Sequence, residues 1–345
     1  MNRRITVAID AMGGDFAPVS AIEGSVDALA ANENVSIILV GDKETLEKGL
    51  EGQSYDKDRL EIVHASEVIK AEEHPMIAVQ RKKDASLLVA MKLVKDGRAD
   101  AVISAGSTGA MLLGSRKYVG LVKGVERPAL APLIPSVNGF SLLIDCGANV
   151  DARPASLVKF AKMGSIYMEH LMGVKNPRVG LLNIGTEEYK GNQLVRETFP
   201  LLKECTDINF IGSLEARDVP FDKADVIVAE AFAGNVVLKM YEGVSAALMS
   251  KIKETMMASL KGKIGGLLIK KDLKNTLKVF DASEHGGAPM FGTKGLVVKA
   301  HGNSTRKEMR IAVEQCMTFV EQDIAHLIEI AVQPDNQKEM TENDI

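Results

Sequence analysis

RITVAIDAMGGD, residues 4–15, places a pair of glycines directly after a strand-like apolar run that ends in Asp10. Similar runs rich in Val and Ile recur at residues 35–41, 99–106, 140–147, 179–185 and 224–230, with helix-like segments between them. This alternation predicts an α/β fold with a largely parallel sheet. Since most of the runs end in Gly, Asp or Asn, we expect these residues to cluster at the carboxyl ends of the strands, where open α/β sheets bind ligands.

The length of the chain, 345 residues, exceeds one average domain. We therefore expect a single large catalytic unit over residues 1–332, either undivided or in two lobes, and a disordered polar tail over residues 333–345.

Composition excludes several classes of protein. A formal net charge of −4, 4% aromatic residues and no Trp disfavour a nucleic-acid partner. The N-terminus enters a strand-like run without a signal peptide, and no run approaches the roughly 20 apolar residues of a membrane span. The three cysteines are an odd number and lie far apart in the sequence, so we expect a reducing, cytoplasmic compartment, with peripheral contact at the inner face of the membrane as the alternative. They lack metal-ligand spacing, and we expect neither a metal nor a cofactor.

Two glycine-rich turns are candidates for binding an anion. DAMGGD at 10–15 lets backbone N–H groups approach a ligand closely, and SAGSTGA at 104–110 adds hydroxyl groups that suit phosphate. Each turn could instead be only a tight connection. Neither is a Walker A loop, and no G-x-G-x-x-G opens the first helix, which disfavours nucleotide hydrolysis and dinucleotide binding. The candidate substrate-binding residues are Asp10, Gly13, Gly14, Ser107, Thr108 and Gly109, with Ser104 as a further hydroxyl donor.

Later loops carry groups that could take part in catalysis. In GTEEYKGN at 185–192, Lys190 and Asn192 could bind phosphate or stabilise an oxyanion, although an exposed charged turn is the simpler interpretation. EAFAGN at 230–235 supplies Glu230 and Asn235, of which Asn235 could instead cap the following helix. The remaining candidates, from EHGGAPMFG at 284–292 and KAHGNS at 299–304, are His285, His301 and Asn303.

The stretch from residue 247 to 280 is predicted to form a protruding basic helical hairpin. Between Lys251 and Lys278 it has eight lysines against Glu254 and Asp272, a local excess of +6 in an acidic protein. The segment could be a solvated helix pair or a dimer contact. It could also dock on anionic lipid or on an acidic carrier protein.

Taken in order, the motifs resemble the PlsX family of phosphate acyltransferases, from about Ile5 to Asp323. The motifs that carry the resemblance are DAMGGDFAP, SEVIKAEEHP, RKKDASL, SAGSTGA, DCGAN, LLNIGTEEYKGN, GSLEARD, EAFAGNVVLKMYEG, EHGGAPMFG and KAHGNS. The resemblance implies acyl transfer from acyl carrier protein to inorganic phosphate, which gives acyl phosphate for a downstream glycerol-phosphate acyltransferase of phospholipid synthesis. It also implies a homodimer with a three-layer α/β/α architecture like that of isocitrate and isopropylmalate dehydrogenases and phosphotransacetylases.

Some positions depart from the family pattern. Where the family usually has Asp-Gly-Phe-Thr-Gly-Asn, residues 230–235 are EAFAGN, so the carboxylate and the amide remain but the hydroxyl is lost. Ala85 stands in place of a serine, and His285 stands where tyrosine is commoner, which disfavours His285 as an essential base.

The mechanism implied by these matches needs no protein nucleophile, because phosphate dianion can attack a thioester itself. Amides of Gly13, Gly14 and residues 107–109 would bind phosphate, while Lys190, Asn192 and Asn235 would stabilise the reacting centre and Glu230 would orient Lys190 or manage a proton. Cys146 is disfavoured as a nucleophile because its neighbourhood supplies no histidine base. The alternatives are a phosphotransacetylase-like enzyme that uses acyl-CoA, a dehydrogenase, or a noncatalytic lipid-interface scaffold.

Overall fold

A computed structural model describes residues 3–278 and 286–333, and this part of the chain forms two compact units. Within the described residues, the first unit comprises residues 3–128, 169–173 and 289–333, and the second comprises residues 129–168, 174–278 and 286–288. His285 and nearly all of the predicted tail, residues 334–345, lie outside the described residues. The predicted end of the catalytic unit at residue 332 stays a prediction.

The elements alternate along the chain as the apolar runs predict. The first part contains β1 (Ile5–Asp10), α1 (Val19–Ala31), β2 (Val35–Gly41), α2 (Lys43–Leu50), β3 (Leu60–His64), α3 (Pro75–Arg81), α4 (Ser86–Lys95), β4 (Ala101–Ser104), α5 (Thr108–Gly114) and a π-helical turn (Ser115–Val119). Next come β5 (Ala129–Leu130), β6 (Leu133–Ser136), β7 (Gly139–Ile144), α6 (Pro154–His170), β8 (Arg178–Asn183), α7 (Gln193–Glu204), β9 (Asn209–Glu215) and β10 (Val226–Val228). The last part contains α8 (Ala231–Met257), α9 (Leu260–Lys278), β11 (Ala288–Phe291), β12 (Leu296–Lys299), α10 (Arg306–Glu321) and α11 (Ile324–Val332).

In the first unit the strands follow the order β3-β2-β1-β4-β12-β11. From β3 to β12 all neighbours are parallel, with Val7 of β1 opposite Ile37 of β2 and Ala101 of β4. α4 packs on β1, β2 and β4, while α10 packs on α1 and contacts β1, β4 and β12. β1 and β2 are almost entirely buried, as expected for central parallel strands covered on both faces. The carboxyl ends of β1, β4 and β12 therefore lie side by side.

In the second unit the strands follow the order β6-β7-β10-β8-β9. β6 and β7 form an antiparallel pair, and the other neighbours are parallel. The predicted α/β class with helices on both sides of the sheets is thus confirmed. Several strands are shorter than their apolar runs, most clearly β10, which spans only Val226–Val228 of the run at 224–230. The apolar runs continue past the last residues of β7, β8 and β10, and these additional residues belong to the loops described below.

The helical region that follows Glu230 begins earlier than the predicted hairpin at 247–280. α8 runs without a break from Ala231 to Met257, and α9 begins at Leu260 after Ala258 and Ser259. A Cβ at Gly266 of α9 would lie 2.7 Å from Cε of Met256 of α8, which shows that the two helices approach each other closely. That these helices protrude as a hairpin remains a prediction. No helix within residues 3–278 and 286–333 combines the length and apolarity needed to cross a bilayer.

Candidate functional site

A buried carboxylate, Asp10, lies at the carboxyl end of β1 and is only 3% exposed. Its Oδ1 accepts a hydrogen bond from Oγ of Ser86 at 2.6 Å, and its Oδ2 accepts one from Oγ of Ser104 at 2.6 Å. Burial raises the pKa of Asp10, and the two hydroxyl hydrogen bonds partly oppose that rise. Since both oxygens accept from the protein, Asp10 ties the end of β1 to β4 and to the start of α4.

The glycine pair after β1 packs against the turn after β4. A Cβ at Gly13 would lie 2.7 Å from Oδ2 of Asp10 and 2.8 Å from the backbone nitrogen of Gly106. The Gly106 amide donates to Oγ of Ser104 at 2.9 Å. Only glycine allows the two turns to approach this closely without displacing backbone.

Gly14 joins the same turns to the loop after β12. Its φ of +98° favours glycine, and a Cβ there would lie 2.7 Å from Cβ of Ala105 and 2.9 Å from the carbonyl oxygen of Gly302. The amide of Asp15 donates to that carbonyl at 2.7 Å. Three backbone turns, from β1, β4 and β12, thus meet at one point. We call them the glycine cradle and define it as residues 11–15, 105–107 and 300–303.

The second glycine-rich turn opens α5. Ser107 is the N-cap residue, and its Oγ accepts from the amide of Ala110 at 3.5 Å, while Thr108 is the first residue of the helix. Gly109 allows α5 to meet α3, since a Cβ there would lie 2.6 Å from Cγ of Pro75. Ser104, suggested as a hydroxyl donor to phosphate, uses its hydroxyl group inside the protein, because it donates to Asp10.

The loop after β12 contains His301 and Asn303, which contact each other through Nδ1 of the ring and Oδ1 of the amide. Both side chains lie in the exposed part of this loop. The amide of Ser304 donates to the carbonyl of His301 at 3.0 Å, so the loop closes on itself as a turn. The structure therefore places both candidates within the glycine cradle, on its exposed side.

In the second unit a fully buried carboxylate, Asp145, follows β7. It accepts from the amides of Leu130, Ala148 and Asn149 at 3.0, 3.2 and 2.7 Å, and from Nδ2 of Asn149 at 2.6 Å. Burial raises the pKa of Asp145 to about 6, although these hydrogen bonds oppose the rise. Asp145 is thus the residue that shapes the DCGAN loop.

α8 begins against this loop at Gly234. A Cβ at Gly234 would lie 1.9 Å from the carbonyl oxygen of Asp145, so only glycine permits the contact. The next residue, Asn235, points its Oδ1 toward Gly147, where a Cβ would be 4.0 Å away. The contact at Gly234 therefore sets the position of Asn235 beside the DCGAN loop.

Glu230 is the N-cap residue of α8. Its two carboxylate oxygens accept from the amides of Phe232 and Ala233 at 2.7 and 2.8 Å. The alternative role of Asn235 as a helix cap is wrong, because α8 already begins at Ala231 and Asn235 lies in its second turn. A carboxylate at this position also complements the positive end of the helix dipole.

Lys190, in the loop after β8, is held by a neighbouring carboxylate. Its Nζ lies 2.9 Å from Oε2 of Glu187, and this hydrogen bond raises the pKa of Lys190. The expectation that Glu230 orients Lys190 is therefore corrected, since Glu187 is the carboxylate that Lys190 contacts and Glu230 caps α8. Lys190 is kept as a cation near neutral pH.

Asn192 ends the same loop as the N-cap residue of α7. Its Oδ1 accepts from the amide of Val195 at 2.9 Å. Asn183, the last residue of β8, donates from Nδ2 to the carbonyl of Lys190 at 3.2 Å. This hydrogen bond connects the loop to the end of the strand. A Cβ at Gly191 would lie 2.5 Å from Oδ1 of Asn183, so the loop follows this amide closely.

Cys146 is buried within the second unit, and burial raises the pKa of its thiol well above the ordinary range. A thiolate nucleophile is disfavoured there. Within the described part of the chain, no group of three His, Cys, Asp or Glu side chains is arranged to hold a metal ion.

Taken together, these features define an α/β protein with glycine turns and polar loops at the carboxyl ends of parallel strands. The family model described as "Fatty acid synthesis protein" matches residues 5–327. The phosphate acyltransferase of Clostridium tetani is 47% identical over 91% of this chain and 93% of its own, and that of Clostridium perfringens is 49% identical over 92% and 94%. The chain belongs to this family of phosphate acyltransferases and is an acyltransferase enzyme.

A solved structure shows the same fold at low sequence identity. A phosphotransacetylase from Streptococcus pyogenes superposes with a TM-score of 0.60 at 16% identity, over 94% of each chain. The predicted likeness to the fold of phosphotransacetylases is thus confirmed.

Sequence reasoning missed several residues that the structure brings into these loops. Ser86 lies 76 residues from Asp10 in the chain, and nothing local marks it as its partner. Asp145 stands next to Cys146, the residue that the motif first draws attention to. Its position at the end of an apolar run was the available signal.

Proposed function

We propose that this protein transfers an acyl group from acyl carrier protein to inorganic phosphate, and so supplies acyl phosphate for phospholipid synthesis in the cytoplasm. The observation that carries the proposal is the glycine cradle, formed at the carboxyl ends of three adjacent parallel strands in a chain of this family. Backbone amides that line such turns bind phosphate groups. Side chains at Gly13 or Gly14 would collide with the neighbouring turns and distort the cradle.

The reaction requires little covalent chemistry from the protein. An oxygen of phosphate dianion forms a bond to the thioester carbonyl carbon, and the carbonyl oxygen becomes an oxyanion. When the tetrahedral intermediate collapses, the C–S bond breaks, and the electron pair leaves with the carrier's sulfur, which then takes a proton. The protein must position the phosphate and stabilise the oxyanion.

The proposed roles fall on two groups of residues. In the first unit, amides of Gly14 and residues 107–109 bind phosphate, with Asp10 in support and His301 and Asn303 beside the substrate. The amide of Gly13, also expected to bind phosphate, donates to Asp10 instead and holds the turn in place.

In the second unit, Lys190 and the side-chain amides of Asn192 and Asn235 stabilise the oxyanion. Lys190 suits this role because its pairing with Glu187 favours the charged form. Glu230, held at the start of α8, fixes the helix that carries Asn235 and is the carboxylate proposed to manage the proton.

The test incubates the purified protein with an acyl carrier protein thioester and phosphate and follows acyl phosphate by 31P NMR. We expect acyl phosphate and free carrier thiol to form in equal amounts, and only when phosphate is present. Parallel reactions with acyl-CoA separate this function from that of a phosphotransacetylase-like enzyme. Activity with acyl-CoA alone would reject the carrier-protein assignment, and no product from either donor would favour a noncatalytic scaffold.

A matched pair of variants connects this activity to the cradle. Gly14→Ala introduces a Cβ at a φ of +98° into a site where two atoms lie within 3 Å, whereas Gly52→Ala has a φ of +76° and no atom within 4 Å. Both variants carry backbone strain, but only Gly14→Ala collides with Ala105 and Gly302 and so displaces the turns that form the cradle. We expect only Gly14→Ala to raise the KM for phosphate.

A homodimer is proposed through α8. Apolar side chains recur every four residues along this helix, and each is at least half exposed: Phe232, Val236, Met240, Val244 and Leu248. Such an i±4 row forms a ridge of the kind that packs into the grooves of another helix. The opposite side of α8 packs on the core of the second unit through Val237, Leu238 and Tyr241. A second copy of the chain would cover the exposed ridge.

Light scattering tests the dimer. Met240→Glu places a charge in the centre of the ridge and should give monomers, whereas Ile330→Glu, which changes a similarly exposed residue of α11, should leave the dimer intact. A monomeric wild-type protein, or an intact Met240→Glu dimer, would reject the interface.

α9 is proposed to rest on an anionic membrane surface, close to the downstream glycerol-phosphate acyltransferase. Leu260, Leu267 and Leu268 are 76%, 73% and 77% exposed, and lysines lie between them. Exposed leucines favour lipid as the partner, because an acidic carrier protein would need only the charges. Flotation with vesicles that contain or lack anionic lipid tests this proposal. Leu267→Glu should abolish flotation, and binding to carrier protein without flotation would assign the segment to the carrier.

A further inference from the structure

A lysine that the motif comparison left without a role lies at the glycine cradle. Lys299 is the last residue of β12 and stands opposite Ser104 of β4 in the parallel register. The amide of Ala300 donates to the carbonyl of Ser104 at 2.9 Å, so β12 stays paired with β4 up to the point where both strands end. The side chain of Lys299 therefore starts at the carboxyl edge of the sheet, at the base of the cradle.

The ammonium group of Lys299 is held at the cradle itself. Its Nζ donates to the carbonyl of Ala105 at 3.3 Å and also contacts the carbonyl of Ala300. Ala105 is the residue against which Gly14 packs, with 2.7 Å between the Cβ of Ala105 and a Cβ built at Gly14. The positive charge thus lies beside the backbone on which the turns from β1 and β4 meet.

Phosphate binding at the cradle requires a positive charge, because carboxylates lie close to it. Asp10 lies buried beneath it, and the carboxylate of Asp15 faces Gly302, where a Cβ would lie 3.5 Å from Oδ2. Two carboxylates next to a bound dianion would oppose binding unless a positive charge compensates. Arg306, the next lysine or arginine in the chain, pairs instead with Asp27 at 2.6 Å.

We propose that the ammonium group of Lys299 binds and neutralises the phosphate substrate at the glycine cradle. The inference rests on the proposed function, which places phosphate at this cradle. The side chain is neither fully buried nor fully exposed, so its charge is only partly screened by solvent while it remains accessible to an ion. Lysine suits this task because its ammonium acts as a compact point charge with several donors.

The alternative role of Lys299 is a purely structural one, in which the ammonium bridges two backbone carbonyls. The two roles differ in what the charge does for phosphate. If Lys299 only bridges the two carbonyls, its substitution lowers the stability of the folded protein. If Lys299 binds phosphate, its substitution weakens phosphate binding more than binding of the acyl donor.

The experiment compares Lys299→Met with wild type and with Lys294→Met. Lys294 is an exposed lysine just before the opposite end of β12, so its substitution removes the same charge away from the cradle. The first measurement is the rise in Tm that inorganic phosphate causes without any acyl donor. The second is the KM for phosphate and for the acyl thioester.

We expect Lys299→Met to lose most of the phosphate-induced rise in Tm and to raise the KM for phosphate about tenfold or more, as loss of a charge-assisted contact implies. The KM for the acyl thioester should change less than about twofold. Lys299→Arg should retain part of the phosphate response, and Lys294→Met should behave like wild type.

A folded Lys299→Met variant with wild-type phosphate response and phosphate KM would overturn the proposal and leave the bridging role. If that variant does not fold, Lys299→Gln replaces it, because the amide can still donate to a carbonyl, and a wild-type phosphate KM there would equally overturn it. A wild-type protein whose Tm does not respond to phosphate would also reject it. Phosphate binding without acyl phosphate formation would instead reject only the proposed function.

Discussion

The contact between Gly234 and Asp145 gives a sharp test of how the second unit is built. Gly234→Ala would place a Cβ 1.9 Å from the carbonyl oxygen of Asp145, where real Cβ atoms essentially never come closer than 3.0 Å. The start of α8 or the DCGAN loop must therefore move by at least 1.1 Å, the difference between these distances. Both partners are backbone, so no flexible side chain can absorb the shift.

The expected loss of stability follows from two opposing effects. Overpacking of this kind costs up to about 3 kcal/mol. Alanine in a helix regains about 1 kcal/mol relative to glycine. The net loss of up to about 2 kcal/mol corresponds to a fall in Tm of up to about 4–8 °C for a domain of this size. A displacement of about 1 Å near reacting groups also lowers kcat/KM by about 100-fold, because Asn235 moves with the helix.

The assay measures Tm by circular dichroism and kcat/KM for acyl phosphate formation. Gly243→Ala serves as the control, because it lies in the same helix and a Cβ there meets no atom within 4 Å. That control should be stabilised by about 0.5–1 kcal/mol through helix propensity alone. Equal behaviour of the two variants, or a Gly234→Ala protein with wild-type Tm and activity, would refute the reasoning.

Three further predictions address groups that are buried or partly buried. Burial raises the pKa of Asp145 from 3.8 to about 6. Between these two pH values the carboxyl group is protonated in the native state but ionised in the unfolded state, so the free energy of unfolding falls as pH rises through this range. Asn does not titrate, so the loss of unfolding free energy caused by Asp145→Asn, measured with urea, should be about 2 kcal/mol larger at pH 4 than at pH 7. A loss that does not vary with pH would contradict this. Arg59 bonds Asp56 and three backbone carbonyls, so Arg59→Ala should lower the free energy of unfolding by about 2–3 kcal/mol, with only partial recovery in Arg59→Lys. A loss below about 0.5 kcal/mol would show that these bonds are not stabilising. Ser104→Ala removes the hydroxyl bonded to Asp10 and should cost about 1–3 kcal/mol and raise the KM for phosphate, whereas an unchanged phosphate KM would separate this network from binding.

The fold followed from the sequence because its signals are local. Each apolar run at 4–10, 35–41 and 179–185 became a buried strand, and the parallel arrangement agrees with runs that are apolar on both faces. Helix boundaries were harder to predict. The predicted hairpin began at residue 247, yet α8 starts at Ala231, because a carboxylate cap at Glu230 opens a helix that no proline interrupts.

The candidate site was predictable only in part. Gly13, Gly14, Lys190 and Asn235 could be named because they follow strands, but the partners that define their environment are distant in the chain or were assigned incorrectly. Glu187, not Glu230, contacts Lys190. A position at the end of a strand identifies which residues lie at the carboxyl edge of a sheet. It does not specify which of these residues contact one another.

The sequence by itself determined an α/β chain with glycine turns after its strands and motifs in the order of a phosphate acyltransferase. Only the tertiary structure decided that the turns of β1, β4 and β12 meet, because strand order brings together residues separated by up to some 290 positions, such as Gly14 and Gly302. It also decided that Asp10 is enclosed by two serines, and that Lys299 brings a positive charge to the cradle. Hydrogen bonds and charge pairing depend on distance in space, which a local sequence pattern does not specify.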